Sequence, residues 1–195
     1  MSTAISNVDG IQGHLNRQDC QNLFKIGQAL PDNARCIEIG SLRGLSAYLV
    51  HLGAKQAKKN IKIYCIDMWE ADELEPESGI PNAELLDDAY TFFLKNIIDK
   101  ELPFTPMKGN SNDFYGCFEP NSIDYLFIDG AHDYTQVLLD LKHYFPLLKK
   151  DGVCLMHDCT PNSDVYFALI AYSRMVDIKY LLLKHTCGLV EVKWN

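Results

Sequence analysis

The stretch Arg35-Cys-Ile-Glu-Ile-Gly-Ser-Leu-Arg-Gly-Leu-Ser46 decides the fold of this chain. Cys36, Ile37 and Ile39 form a short apolar run broken by Glu38, which predicts a buried strand. The chain then reverses on Gly40 and opens a helix near Arg43. Gly40 and Gly44 permit a tight turn and a close approach of a ligand to bare backbone. In an open α/β sheet, ligands bind where such strands end.

The glycine spacing narrows the ligand. A dinucleotide site wants G-x-G-x-x-G, so that backbone can approach a pyrophosphate at a helix N-terminus. Here the spacing is Gly40-x-x-x-Gly44, with a single glycine at the turn. Glu38 stands just before it, and its charge would repel a phosphate. A ligand carrying an ammonium or a sulfonium suits this turn better, and S-adenosylmethionine carries both. A plain strand–turn–helix with an incidental glutamate remains open at this point.

Outward from this segment, apolar patterns of strand and helix type alternate to the end of the chain. Residues 16–29 predict a lead-in helix that ends at Pro31-Asp-Asn33, within an N-terminal portion covering 1–34. The helix after Gly44 extends to about 58, with Leu45, Tyr48, Leu49 and Leu52 on one face. Strands are predicted at 61–66, about 103–108, 123–128 and 152–156, with helices over 83–98, after 132 and near 163–175. The tail predicts a hairpin, Ile178–Lys184 with Leu189–Lys193, turning at Cys187-Gly188. This alternation implies one domain over 1–195 with a largely parallel, doubly wound sheet.

Four strands reach an acid at or near their ends: Glu38, Asp67, Asp129 and Asp158. In a parallel sheet those ends share one edge, so the four carboxylates are expected to converge on one crevice. Uncompensated, they would be costly, and a cationic ligand or metal is expected to join them. Helix capping is the plainer role open to each. Asp67 is placed to accept ribose hydroxyls, and Asn110-Ser111 after the third strand to meet an adenine edge. His132 follows Asp129 at the crevice mouth and is a candidate to take a proton from a substrate hydroxyl; His157 is the alternative. Asp129 and Asp158 are candidate ligands of a divalent cation such as Mg²⁺. A Cys159–His157 nucleophile pair is disfavoured, because neighbouring residues at a strand end point apart.

Composition sets outer limits. The chain has 195 residues, is 47% hydrophobic and carries a net charge of −8. It offers no basic stripe for a nucleic-acid backbone. Seven cysteines lie scattered without C-x-x-C spacing, which argues against a zinc site and suits a reducing, cytoplasmic setting. No signal peptide and no membrane-spanning run are expected.

Several motifs together resemble class I S-adenosylmethionine-dependent methyltransferases: Gly10-Ile-Gln-Gly-His-Leu15, Glu38-Ile-Gly-Ser-Leu-Arg-Gly-Leu-Ser46, Cys65-Ile-Asp-Met-Trp69, Ile128-Asp-Gly-Ala-His132 and Leu155-Met-His-Asp158. The look is nearest to the small branch with macrocin-type sugar O-methyltransferases, over about residues 10–195. The resemblance implies a Rossmann-like, seven-stranded mixed sheet whose last strand is reversed. It implies that Glu38, Gly40, Ser41, Ser46, Asp67, Met68, Trp69, Asn110, Ser111 and Asp129 hold S-adenosylmethionine. By the same likeness Asp129 and Asp158 match metal-binding acids, and His132 the group that deprotonates the acceptor. Cys159 departs from the pattern, since metal-dependent relatives tend to offer an oxygen ligand there.

The expected activity is methyl transfer to a hydroxyl oxygen of a small molecule, a sugar among the candidates. The expected partners exclude nucleic acid and membrane, and a homo-oligomer stays open. Two other readings remain: a non-catalytic protein that binds an adenosyl cofactor, and an NAD-dependent oxidoreductase. The single-glycine turn and Glu38 disfavour the second.

Overall fold

The computed structural model describes residues 6–70 and 88–195. Most of the loop expected at 70–81, and the start of the helix expected from residue 83, lie outside the described residues.

The nine described strands are β1 (Ser6–Val8), β2 (Ile11–Gly13), β3 (Ala34–Ile39), β4 (Ile61–Asp67), β5 (Phe104–Lys108), β6 (Ile123–Ile128), β7 (Leu148–Met156), β8 (Ile178–Leu182) and β9 (Val190–Trp194). The helices are α1 (Arg17–Ala29), α2 (Leu45–Gln56), α3 (Ala89–Lys100), α4 (Tyr134–Tyr144) and α5 (Asp164–Ser173). Seven strands form one mixed sheet in the order β5-β4-β3-β6-β7-β9-β8. The first five in that order pair in parallel, while β9 runs antiparallel to both β7 and β8. This is the doubly wound, Rossmann-like sheet with a reversed last strand.

Strand alternation sends neighbouring side chains to opposite faces. Cys36, Cys65, Tyr125, Phe127 and Leu155 pack with Leu23 of α1, Leu45 of α2 and Phe93 of α3. Ile37, Ile39, Leu126 and Ile128 pack with Val137 of α4 and Leu169 of α5. Each face of the sheet is therefore covered by helices, and the chain switches faces between β3 and β6. Gly40 and Asp129 follow those two strands directly, so the crevice opens between them.

Helix α1 keeps its expected start. Asn16 caps it, accepting from the backbone N–H of Gln18 and Asp19, while Asp19 accepts from the Asn16 N–H. Helix α2 differs from the one-sided helix predicted. Ser46, Ala47 and Val50 are buried together with Leu45, Tyr48 and Leu49. The reason is a backbone-to-backbone crossing with α1. A methyl group on Gly27 would lie 2.0 Å from the Val50 carbonyl oxygen, and one on Gly53 would lie 2.0 Å from that of Phe24. At that distance α1 covers the outer face of α2 as well.

Two elements depart from the sequence reading. Residues 6–13 form the small β1–β2 hairpin, which three-residue strands leave no periodicity to reveal. Strand β7 begins at Leu148, four residues before the predicted start, because Leu148 pairs with Ile123 across a register shift. Among the described residues no helix is long and apolar enough to cross a membrane. All seven cysteines are free thiols.

Candidate active site

The turn after β3 is built by Gly40, whose φ is +85°. A methyl group there would lie 2.1 Å from the backbone oxygen of Asp129, so the β3 and β6 ends meet through bare backbone. Of the eleven described non-glycine residues with left-handed backbone, three follow closely on the crevice strands β3, β4 and β7: Leu42, Trp69 and Asp158, with φ of +47°, +45° and +52°. Strain of this kind clusters where a fold over-determines a site.

Glu38 lies under this turn, 1% exposed. Its Oε1 and the hydroxyl of Ser41 are both buried without a hydrogen-bond partner. Burial pushes the Glu38 carboxyl up to about 8; the Ser41 and Ser46 hydroxyls stand near enough to pull it partly back, although the Ser41 hydroxyl is not aligned for a hydrogen bond. Ser46, on the first turn of α2, is buried beside them.

Asp67 ends β4 and reaches across to β3. Its Oδ2 accepts from the backbone N–H of Ser41 at 2.7 Å and of Leu42 at 2.8 Å, and its Oδ1 from that of Trp69 at 2.7 Å. The carboxylate therefore shapes the glycine turn from the neighbouring strand. The indole of Trp69 donates to the Leu42 carbonyl and packs on Tyr90 and Phe93 of α3. Met68 is 42% exposed beside it.

Asn110 caps the short 3₁₀ turn after β5 by accepting from the Asn112 N–H. Ser111 is committed to α4: its hydroxyl donates to Asp140 Oδ1 at 2.6 Å and accepts from Gln136. Its backbone oxygen also accepts from the Tyr144 hydroxyl. These contacts give both residues structural work in addition to the adenine role the resemblance implies.

Asp129, His132 and Asp158 converge. His132 Nε2 lies 3.2 Å from Asp158 Oδ2 and 4.0 Å from Asp129 Oδ1. From beneath, His157 Nδ1 lies 3.4 Å from Asp129 Oδ1 and 3.2 Å from Asp158 Oδ2. The other His157 nitrogen, Nε2, faces Asp19 Oδ2 of α1 at 3.4 Å, an ion-pair contact without hydrogen-bond alignment. The Asp129 and Asp158 carboxylates push the His132 imidazole up to about 10. Burial lowers the pKa of His157, but Asp129, Asp158 and Asp19 outweigh it and hold this imidazole well above its ordinary value. Burial would raise Asp129 and Asp158, yet the two histidines hold both below the ordinary range.

The acids thus meet on one rim, but a bound cation is not needed to reconcile them. Asp129 and Asp158 are compensated by His132 and His157, Asp67 by three backbone N–H groups, and Glu38 by holding a proton at neutral pH. The expectation of a cationic ligand or metal left out the two imidazoles as internal cations.

Two residues of the rim carried no role in the sequence. Asp19 looks like an ordinary helix cap until its burial is seen, at 0% exposure. His14 is half-buried, and burial lowers its pKa against the opposing pull of Asp129 and Asp158. Its segment is placed by Gly13, where a methyl group would lie 2.9 Å from the Leu45 side chain. His14 falls within the Gly10–Leu15 motif of the resemblance, but nothing local shows that it or Asp19 reaches the rim, since each does so only through packing of the N-terminal segment.

The sheet order, the glycine turn between β3 and β6 and the acids beyond the strand ends define the architecture of a methyltransferase. The family model described as "Methyltransferase domain" matches residues 37–159, well over half of the chain, and the protein belongs to that family. No curated protein matches it significantly. Among solved structures, the O-methyltransferase NovP superposes with a TM-score of 0.67 at 14% identity, covering 90% of this chain and 79% of its own. The S-adenosylhomocysteine-bound methyltransferase PaMTH1 of Podospora anserina gives 0.64 at 16% identity, covering 91% and 78%. TYW2 of M. jannaschii, in complex with AdoMet, gives 0.54 at 15% identity, covering 98% and 84%. At these identities the likeness concerns the fold.

Proposed function

We propose that this protein transfers a methyl group from S-adenosylmethionine to a hydroxyl oxygen of a small molecule, in the cytoplasm and as a single domain. The observation that carries the reading is the buried pair Glu38 Oε1 and Ser41 Oγ, both unpartnered beneath the Gly40 turn. Buried polar atoms without partners are costly, and a ligand that supplies donors repays them. The ammonium or sulfonium of S-adenosylmethionine fits a carboxyl group there, whereas a pyrophosphate does not. PaMTH1 and TYW2, which share the fold, hold the demethylated or intact cofactor in their own structures. Gly40, Ser41 and Ser46 would line its methionine end, with Asp67, Met68 and Trp69 near the ribose and Asn110 and Ser111 near the adenine.

Asp129, His132 and Asp158 offer ligand atoms that all lie within 4.8 Å of one another. Two carboxylates and an imidazole fit a divalent ion of mixed nitrogen and oxygen preference, such as Mn²⁺, better than Mg²⁺, which favours oxygen alone. Such an ion would polarise the acceptor oxygen and lower its pKa. The residues of the chain do the rest. The crevice holds the acceptor oxygen in line with the sulfonium methyl, which supplies rate through proximity. With its ring nitrogen on the ion His132 cannot also take the acceptor proton, so it serves as the base only where the ion rests on Asp129 and Asp158 alone and relieves the charge that otherwise keeps its proton in place. The net charge of −8 favours a neutral or cationic acceptor over nucleic acid. A sugar hydroxyl meets that description.

Calorimetric titration tests the reading. S-Adenosylmethionine and S-adenosylhomocysteine are expected to bind, and NAD⁺ not to. Binding of NAD⁺ alone would replace this reading with the oxidoreductase. Cofactor binding with no labelled product across a screen of hydroxylated acceptors would leave a non-catalytic binding protein.

A further inference from the structure

Resting on the divalent-cation reading above, we infer that Asp19 is the positioning residue of the crevice. It fixes the His157 imidazole, and that imidazole sets the directions of the Asp129 and Asp158 carboxylates.

The acid at N3, the last residue of a capping box, ordinarily lies on the helix surface, where its carboxylate is solvated. Asp19 is instead 0% exposed and faces inward. Burying a charge is expensive unless several groups satisfy it. Asp19 finds them in three separate parts of the chain. It accepts from the Asn16 N–H at 3.0 Å and from the Cys187 N–H, in the loop between β8 and β9, at 3.3 and 3.4 Å. Its third neighbour is His157 Nε2 at 3.4 Å. A helix cap alone would need only the first.

Both ring nitrogens of His157 face carboxylates, Nε2 through an ion-pair contact alone, and its side chain is only 2% exposed. Asp19 stands on one side, and the two crevice carboxylates stand on the other. Asp129 and Asp158 each turn one oxygen toward the same Nδ1, so the angle of the ring decides where both carboxylates face. Asp158 otherwise has a side chain 43% exposed on a left-handed backbone. Outer partners of this kind orient metal-binding side chains, and losing one typically weakens metal binding ten- to hundredfold. Because Asp19 also holds Cys187, the C-terminal hairpin and α1 are tied to the same point.

The test is a Mn²⁺ titration of the full chain, followed by electron paramagnetic resonance of the free ion. Asp19→Asn keeps an oxygen for the backbone donors and removes the charge facing His157. It is expected to weaken Mn²⁺ binding about ten- to hundredfold while S-adenosylhomocysteine affinity stays within about twofold. His157→Gln is expected to weaken it similarly, and the double variant to be no weaker than the worse single one, since Asp19 acts through His157. Equal Mn²⁺ affinity in Asp19→Asn and the unaltered protein overturns the proposal alone. So does strict additivity in the double variant. If Asp19→Asn does not fold, His157→Gln decides, and unchanged affinity there overturns it. An unaltered chain that binds no Mn²⁺ overturns the cation reading and this proposal together, while cofactor binding stands separately.

Discussion

Asp67 at the end of β4 accepts the backbone N–H of Ser41 at 2.7 Å, and so holds the turn that follows a different strand, β3. The same carboxylate takes the N–H groups of Leu42 and Trp69. Asp67→Ala leaves three donors without their acceptor and should cost roughly 2–4 kcal/mol of stability. It should also abolish cofactor binding, so binding loss alone says little about the ribose. Asp67→Asn keeps one carbonyl oxygen for the turn and is expected to lose less stability. Thermal melts paired with S-adenosylhomocysteine titrations separate the two roles. A melt of Asp67→Ala that matches the unaltered protein would remove the turn-holding role.

Glu38 makes cofactor binding depend on pH. Its carboxyl, raised by burial to about 8, is protonated at neutral pH in the free protein. A cationic ligand favours the ionised form, so binding must release a proton. Affinity for S-adenosylmethionine is expected to rise from pH 6 to 8, by up to about tenfold per unit, and to level off above. Titrations at pH 7 in buffers of different ionisation enthalpy read the proton directly. Glu38→Gln should bind weakly and release none. Identical apparent enthalpies across buffers for the unaltered protein would contradict this account.

Gly40→Ala is expected to destroy the site. The added methyl meets the Asp129 backbone oxygen at 2.1 Å, and the +85° φ strains any side chain. Neither β3 nor β6 can retreat, because both lie inside the sheet. A loss of more than about 3 kcal/mol is expected, seen as a low melting temperature or an insoluble product. Gly116→Ala, where nothing lies within 4 Å, serves as the control and should melt near the unaltered protein.

Asp140 places a pH dependence on stability, away from the crevice. It is 1% exposed, its Oδ2 has no partner, and burial raises its carboxyl to about 6. A raised folded pKa means the folded state holds the proton more tightly than the unfolded one. Its contribution is therefore full below about pH 4 and lost as pH rises through 6. Asp140→Asn keeps an acceptor for Ser111 and Gln136 and removes this loss. It should gain up to about 3 kcal/mol relative to the unaltered protein at pH 8, and little at pH 4. Urea denaturation at the two pH values measures the difference, and equal gains at both would exclude titration of Asp140 as the cause.

Much of the architecture was legible because it is written locally. Buried parallel strands are largely apolar runs, and β3, β4 and β6 each stand out as one despite Glu38, Lys62 and Asp124 within them. The crevice followed from topology, since Glu38, Asp67, Asp129 and Asp158 come at or just beyond ends that a parallel sheet must align. The β1–β2 hairpin was not legible, since two three-residue strands carry no period. The burial of α2 on most sides depended on Gly27 and Gly53 meeting a second helix, which no window of one helix reveals. The sequence offered Ser111 to an adenine edge and did not show that α4 also takes its hydroxyl.

By itself the sequence determined the order of strands and helices from α1 onward, the glycine turn and the rim where the acids would gather, because alternation and turn chemistry act over a few residues. Only the tertiary structure decided how those acids are balanced. Asp19, His132 and His157 come from three distant parts of the chain, and the charge states of the two imidazoles depend on which carboxylates packing sets within a few ångströms. Distances of that kind arise from how helices and strands stack, so no reading along one dimension contains them.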